Sequence, residues 1–210
     1  MIKKIIFDLD NTLLFISPEW KTSYELFINK YKLNITPEEL YSCIGAFEKD
    51  NNDIIVTNEL MCKYINNNLP INLTETMFIE LLDVYKNIPL LNTNIVYNVL
   101  NYLSTKYELL VYSNWFWQNQ LDRLKKYNLD KFFTKIYGWD NLEIKPSKTG
   151  LEKIICNNDV SEYIFIGDNL EMDLEIPDQM SIDTIFFNRK CIKQDKFKEV
   201  LKVEELKEIL

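Results

Sequence analysis

Four aspartates in this chain could together bind a metal ion. Asp8 and Asp10 directly follow an apolar segment at the start of the chain, and Asp168 follows a second one, with Asp173 five residues later. If the two segments are neighbouring parallel strands, the four carboxylates meet at one edge of the sheet. Carboxylates so close together repel one another, and a hard divalent cation relieves that repulsion. The pattern therefore predicts a Mg²⁺ site.

Three other polar residues are suited to binding a phosphate group. Ser113 and Asn114 end a third apolar segment just before a helical stretch, where a hydroxyl and free backbone N–H groups can bind an anion. Lys145 follows the next strand-like region and could neutralise phosphoryl oxygens. Each feature alone has an ordinary explanation, since Ser-Asn pairs are common helix caps and most lysines are solvated. Beside an acidic cluster, they indicate phosphate chemistry.

The composition excludes several other kinds of chemistry. The chain has no histidine, which removes Ser-His, Cys-His and His-metal mechanisms. Its formal charge of -8 argues against broad binding to nucleic acid or to anionic membranes. The four scattered cysteines lack the spacing of a zinc site or a redox motif, so we interpret them as reduced thiols. The first apolar stretch is too short for a signal sequence or a membrane span, which favours a cytoplasmic protein.

The elements that must position these residues alternate between strands and helices in the second half of the chain. This alternation predicts an α/β fold with a mainly parallel sheet and helices on both faces. Short runs rich in β-branched and aromatic residues predict strands at 2–9, 108–113, 135–139, 163–167 and 184–188. Helical length and spacing predict helices at 94–105, 115–127, 148–157 and 170–179.

The segment from about Pro18 to Asn87 interrupts this alternation. It contains several amphipathic helical stretches and one brief β-like patch at 54–56. Thr36 followed by Pro37 is typical of a capped helix start, and a second helix is predicted to begin near Thr74. We therefore interpret the segment as a helical insertion placed after the first strand.

The order of these residues resembles the four motifs of the haloacid dehalogenase-like (HAD) superfamily. Motif one corresponds to residues 8–12, motif two to Ser113, motif three to Lys145 and motif four to residues 167–173. The resemblance implies a Rossmann-like α/β core formed by residues 1–16 and 88–210. The helical insertion, residues 17–87, lies where members with a C1-type cap domain carry that cap.

The resemblance also implies a role for each motif residue. Asp8 would be the nucleophile that forms an aspartyl-phosphate, and Asp10 would be the general acid and base. Phosphoryl oxygens would be bound by Ser113, Asn114 and Lys145, and Mg²⁺ by Asp8, by the backbone carbonyl of Asp10 and by Asp168. Thr12 and Asp173 would support the site, the first by ordering its loop and the second by orienting Lys145 or a metal-bound water. Asn11 replaces a glycine common in the family, and asparagine also tolerates unusual backbone angles.

Several reactions fit the resemblance. Dehalogenating relatives lack an acid at the position of Asp10, because a halide leaves without a proton, so hydrolysis of a phosphate monoester is favoured. A phosphomutase and a non-catalytic phosphate-binding regulatory protein are weaker alternatives. A signalling receiver module shares the acidic residues and the Lys-Pro pair, but its phosphorylated aspartate follows a middle strand and it lacks a large insertion after strand one.

The substrate is less sharply indicated than the reaction. A cap closing over the site favours a small phosphorylated metabolite, handled by a monomer or a homodimer. Trp20 and Trp115 could line a pocket and stack on a nucleobase, which would make the protein a nucleotide-preferring phosphatase. Core packing explains the same tryptophans and is the favoured interpretation.

Overall fold

A computed structural model describes residues 1–210, and its centre is a six-stranded sheet. Every neighbouring pair of strands in this sheet is parallel. The strand order is β5-β4-β1-β6-β7-β8. These strands are β1 (Lys4–Phe7), β4 (Glu108–Tyr112), β5 (Phe133–Tyr137), β6 (Tyr163–Gly167), β7 (Asp183–Phe187) and β8 (Lys198–Val200). The α/β, Rossmann-like fold predicted from the sequence is confirmed.

Helices cover both faces of the sheet because successive side chains of each strand point to opposite sides. On β1, Ile5 and Phe7 face one apolar cluster and Ile6 faces another. The first cluster contains residues of α5 (Thr93–Leu103), α6 (Trp117–Lys126) and α9 (Leu206–Ile209). The second contains residues of α7 (Lys148–Ile155) and is packed against α8 (Glu175–Gln179). Strands buried on both faces explain the nearly continuous apolar runs in the sequence.

Four helices fill the segment between the first and second long strands. They are α1 (Trp20–Lys30), α2 (Pro37–Asp50), α3 (Asn58–Asn68) and α4 (Glu75–Asn87). The predicted helix starts are confirmed: Thr36 and Thr74 accept hydrogen bonds from the backbone as N-caps, and Thr36 forms a capping box with Glu39. A short antiparallel pair, β2 (Phe15–Ile16) and β3 (Leu90–Leu91), joins this segment to the sheet.

The helical segment shares its apolar cluster with the sheet domain. Trp115, Phe116, Trp139 and Ile144 pack with residues of α1 to α4. The patch at 54–56, predicted to be β-like, is not a strand, although its backbone donates to and accepts from the loop after β5. Whether residues 17–87 act as a domain separate from 1–16 and 88–210 stays a prediction.

The remaining differences from the predicted elements are local. The stretch 170–179, predicted to be one helix, begins with a π-helical turn, Leu170–Leu174, before α8. The strands β2, β3 and β8 were not predicted. No helix of the chain combines the length and the apolar character needed to cross a membrane.

Candidate active site

The strand register brings the motif residues to one edge of the sheet. Phe7 of β1 pairs with Val111 of β4 on one side and with Ile166 of β6 on the other. The residues that follow these positions, including Asp8, Ser113 and Asp168, therefore emerge side by side. This is the carboxyl edge of the strands, where ligands bind in open parallel sheets.

Asp8 and Lys145 form a buried ion pair at the centre of this edge. Nζ of Lys145 lies 2.7 Å from Oδ1 of Asp8 and 2.6 Å from Oδ1 of Asp173. The hydroxyl of Thr12 donates to Oδ2 of Asp8 at 2.9 Å. Asn11 adopts a left-handed backbone conformation with φ of 68°, which lets the loop after β1 turn back. One face of the Asp8 carboxylate is therefore fixed by Lys145 and Thr12.

Gly167 at the end of β6 allows Asp173 to approach the site. A Cβ atom built at Gly167 would lie 2.4 Å from the Asp173 carboxyl group, which is too close for any other residue. Oδ2 of Asp173 accepts the backbone N–H of Asn169 at 3.0 Å. Both oxygens of Asp173 are thus engaged, one by this N–H and one by Lys145, so the side chain orients Lys145.

The carboxylates of Asp8, Asp168 and Asp173 could hold one metal ion. Each offers an oxygen within 4.8 Å of the other two. The Asp168 carboxylate lines the cavity beside Asp8, and no protein group donates a hydrogen bond to it. Hard oxygen donors, one of them without a partner, fit a Mg²⁺ ion that keeps some of its waters.

Burial acts against ionisation of two of these carboxyl groups. Burial raises the pKa of Asp8 well above its usual range; Asp173 and Asp168 raise it further, and the ammonium of Lys145 opposes the change. Burial and the charge of Asp173 raise the pKa of Asp168 to about 6. A cation between Asp8 and Asp168 would oppose both shifts by favouring the ionised carboxylates.

Burial and charge act in opposite directions on Lys145. Burial alone lowers the pKa of its ammonium group, but Asp173 and Asp8 raise it by more, so the net change is upward. Lys145 is therefore a permanent positive charge beside Asp8 and suits a phosphoryl oxygen.

Asp10 is held by two residues of α6. Nη1 of Arg123 lies 2.8 Å and 3.1 Å from the two oxygens of Asp10, and Nε2 of Gln120 donates to Oδ2 at 2.6 Å. Gln120 also donates to the hydroxyl of Ser113 at 2.8 Å. The guanidinium of Arg123 is buried and lies 4.5 Å from the centre of the Tyr85 ring. Arg123 and Gln120 therefore link Asp10 to Ser113 and set where the Asp10 carboxylate points.

Asn114 lines the cavity, and its side chain bonds to the backbone of Lys145. Its amide accepts the backbone N–H of Lys145 at 2.8 Å and donates to the carbonyl of Lys145 at 3.0 Å. It also donates to Glu48 of α2 at 3.3 Å. With these bonds the side chain positions the loop that carries Lys145, and both of its N–H groups are engaged. Whether Asn114 binds phosphate stays a prediction.

A cavity of about 240 Å³ lies over the motif residues and is roofed by the helical segment. Trp115 lines it, but the indole is mostly buried against Tyr85, Phe116 and Trp139. Trp20, predicted as a pocket residue, does not line the cavity, because its ring packs on Tyr24 and Tyr41. The aromatic lining contributed by the helical segment consists of Tyr24, Tyr41 and Tyr85.

Several residues of this site were not predicted from the sequence. Gln120 and Arg123 are polar residues on the buried side of α6. Their spacing of three positions places them on one helix face, so the sequence could have indicated that they act together. Glu48, Gly45 and Tyr41 share one face of α2, which only the packing of the helical segment turns towards the motifs.

Comparison with known families identifies the class of protein. Residues 5–187 match the model of the haloacid dehalogenase-like hydrolase family, which spans all four motif positions. The chain therefore belongs to the haloacid dehalogenase-like hydrolase family. Among curated proteins, no sequence matches the chain.

Solved structures of this superfamily share the fold along the whole chain. The magnesium-bound HAD-hydrolase YfnB from Bacillus subtilis is 18% identical, with a TM-score of 0.81 over 99% of this chain and 98% of that one. A HAD phosphatase from Thermococcus onnurineus is 20% identical, with a TM-score of 0.67 over 99% and 97%. L-2-haloacid dehalogenase from Xanthobacter autotrophicus is 12% identical, with a TM-score of 0.72 over 100% and 98%. At these sequence identities, the similarities show a shared fold.

Proposed function

We propose that the protein is a Mg²⁺-dependent phosphatase with a C1-type cap, and that it hydrolyses small phosphate monoesters through an aspartyl-phosphate on Asp8. The observation that carries this proposal is the arrangement of Asp8, which has Lys145 on one side and the unpartnered carboxylate of Asp168 on the other. A nucleophilic carboxylate needs positive charge nearby to receive a dianionic phosphate, and this site provides it.

The first step transfers the phosphoryl group to the protein. A carboxylate oxygen of Asp8 attacks phosphorus, the bond to the leaving oxygen breaks, and Asp10 gives a proton to that oxygen. The hydroxyl of Ser113 and the ammonium of Lys145 are placed to bind phosphoryl oxygens. The products of this step are the free alcohol and the phosphorylated Asp8.

The second step returns Asp8 to its starting state. Asp10, now ionised, accepts a proton from water while the water oxygen attacks phosphorus. The bond between Asp8 and phosphorus breaks, which frees the Asp8 carboxylate and releases inorganic phosphate. Nη1 of Arg123 contacts both oxygens of Asp10 and holds the carboxylate in place. Arg123 and Gln120 are positioning residues, since they act through Asp10 and Ser113.

Asp8, Asp168 and the backbone carbonyl of Asp10 would hold Mg²⁺, and Asp173 would support it. When bound, the ion would neutralise charge on the phosphoryl group and keep Asp8 ionised despite its burial.

Asp10 favours phosphate hydrolysis over dehalogenation, although structures of both activities share the fold. Its carboxylate is held within the site by Arg123 and Gln120. Burying such an ion pair costs desolvation free energy, and a role in proton transfer explains why the pair is present. A halide leaves without a proton and would not need this group. The dehalogenase reading therefore has less support.

Hydrolysis of p-nitrophenyl phosphate tests the proposed function directly. We expect release of p-nitrophenol with added Mg²⁺ and loss of activity in excess EDTA. In parallel, 2-chloropropionate should yield no chloride. Chloride release without phosphatase activity would contradict the proposal, and absence of both activities would favour a non-catalytic phosphate-binding protein.

Mg²⁺ should raise the melting temperature of the protein through Asp168. A ligand at a hundred times its dissociation constant stabilises a fold by about 2.7 kcal/mol. For a chain of this size, that corresponds to a rise of roughly 5–11 °C. The variant Asp168→Asn should lose most of this rise, whereas Asp183→Asn, exposed at the start of β7, should keep it. An equal rise in both variants would show that Mg²⁺ binds elsewhere.

The size of the cavity favours a small leaving group. At about 240 Å³ it is smaller than the pockets of roughly 300–1,000 Å³ that hold drug-sized ligands. This supports a small phosphorylated metabolite over a nucleoside monophosphate. We also expect the protein to act in the cytoplasm as a monomer or homodimer, without nucleic acid or membrane partners.

A further inference from the structure

One face of α2 forms the roof of the cavity opposite the motif residues. Tyr41, Ile44, Gly45 and Glu48 follow the spacing of one side of a helix, and all four line the cavity. A leaving group attached to a phosphate at Asp8 must therefore lie against this face. The side chains of this face therefore determine which chemical groups the leaving group can carry.

Glu48 is a carboxylate in this cavity without a cationic partner. The three ion pairs of the site use Arg123 with Asp10, and Lys145 with Asp8 and Asp173. Glu48 receives only one long hydrogen bond, from Asn114 at 3.3 Å. Burial raises its pKa to about 7, against the opposing effects of Asn114 and Lys145. A half-buried carboxylate in such surroundings is stabilised by a cation.

Space for such a cation exists between Glu48 and Tyr41. A Cβ atom at Gly45, which lies between them on the same face, would meet no atom within 4 Å. Tyr41 is partly exposed to the cavity, and Trp20 packs against its ring at 4.6 Å. Aromatic rings attract cations, as the guanidinium of Arg123 on Tyr85 shows within the same cavity wall.

Glu48 also lies close to the place where the phosphate would bind. Asn114 bridges Glu48 to the backbone of Lys145, since its amide donates to the Glu48 carboxylate at 3.3 Å and to the Lys145 carbonyl at 3.0 Å. A substrate with phosphate at Lys145 and a positive group at Glu48 therefore needs only a short chain between its two charges. The small cavity sets the same limit.

We propose that the leaving group carries an ammonium group that binds between Glu48 and Tyr41, so that the substrate is the phosphate monoester of a short amino alcohol. This inference rests on the proposed phosphatase function and names its substrate class. Glu48 determines specificity through its charge, Tyr41 through its aromatic ring and Gly45 by leaving space.

Matched substrates that differ only in charge test this inference. Phosphocholine is compared with its carbon isostere 3,3-dimethylbutyl phosphate, and phosphoethanolamine with propyl phosphate. We expect the wild-type kcat/KM to favour the charged member of each pair by roughly tenfold, the size of one desolvated cation–π contact. Ratios near one in the wild-type protein would overturn the inference.

Two variants locate the preference. Glu48→Gln keeps an acceptor for Asn114 but removes the charge, and should bring both ratios close to one; Glu25→Gln, an exposed glutamate of α1, should leave them unchanged. Gly45→Ala fills the space with a residue that helices favour, so the fold is retained, and should lower kcat/KM for phosphocholine more than for phosphoethanolamine.

The outcomes separate this inference from the proposed function. Hydrolysis of p-nitrophenyl phosphate is measured on the same preparations. If that substrate is hydrolysed but Glu48→Gln keeps the wild-type ratios, the ammonium site is wrong and the phosphatase stands. If no phosphate ester is hydrolysed at all, the inference falls together with the proposed function.

Discussion

Replacing Asp8 with asparagine should reduce hydrolysis of every phosphate monoester by roughly a thousandfold or more, because the attacking oxygen is lost. The fold should survive. The amide has the shape of the carboxyl group, and Lys145 keeps its ion pair with Asp173 at 2.6 Å. The substitution also removes a carboxylate that burial and two neighbouring aspartates disfavour. Phosphate release and far-UV circular dichroism measure the two effects.

Asp183→Asn is the matched control for this variant. It makes the same chemical change at an exposed position at the start of β7. The site lies at the other end of the strands. We expect Asp183→Asn to keep wild-type activity. Retained phosphatase activity in Asp8→Asn would rule out Asp8 as the nucleophile.

The variant Lys145→Met should lose both activity and stability. It leaves Asp8 and Asp173 facing each other without their shared cation, and breaking a buried ion pair on one side costs about 3–5 kcal/mol. At this chain length, the melting temperature should fall by roughly 6–20 °C. Thermal unfolding in EDTA measures the loss, and the rate of phosphate release should drop together with phosphate binding.

The loss of stability in Lys145→Met should increase as the pH rises. Burial raises the pKa of Asp8 in the folded protein above its value in the unfolded chain, and the variant lacks the ammonium that opposes this change. The folded state therefore binds more protons than the unfolded state above the unfolded pKa, so stability decreases with increasing pH until the folded pKa is passed.

Lys148→Met provides the comparison for this variant. Lys148 begins α7 and is exposed, with only a loose pairing to Glu152 at 3.7 Å. Its replacement should change the free energy of unfolding by less than about 0.5 kcal/mol. Equal losses in Lys145→Met and Lys148→Met would contradict the role given to the buried ion pair.

The sheet and the motif residues could be predicted from the sequence because their signals are local. Asp8 and Asp168 each follow an apolar strand directly, which fixes where each carboxylate emerges. Because the two strands pair in parallel, both carboxylates lie at the same edge of the sheet. The link between Asp173 and Lys145 was one of two roles that the family resemblance implied for Asp173. Strands of two residues, such as β2 and β3, are too short to show any alternation, so they were missed.

The leaving-group side of the site depends on tertiary packing. Glu48 and Tyr41 lie more than sixty positions before Ser113 in the chain, and nothing in the sequence fixes which face of α2 turns towards the sheet. The same holds for Arg123, whose partner Asp10 is 113 residues away. Trp20 and Trp115 attracted notice as large aromatic residues, yet packing against their neighbours occupies most of their surface.

The covalent intermediate on Asp8 is the central claim, and rapid acid quenching tests it most directly. The wild-type protein is mixed with p-nitrophenyl phosphate and Mg²⁺, quenched within milliseconds, digested and analysed by mass spectrometry. We predict that the peptide containing Asp8 gains the mass of one phosphoryl group, located on Asp8, and that hydroxylamine removes it. A phosphoryl group on another residue, or phosphate release while Asp8 stays unmodified at every time sampled, would contradict the mechanism.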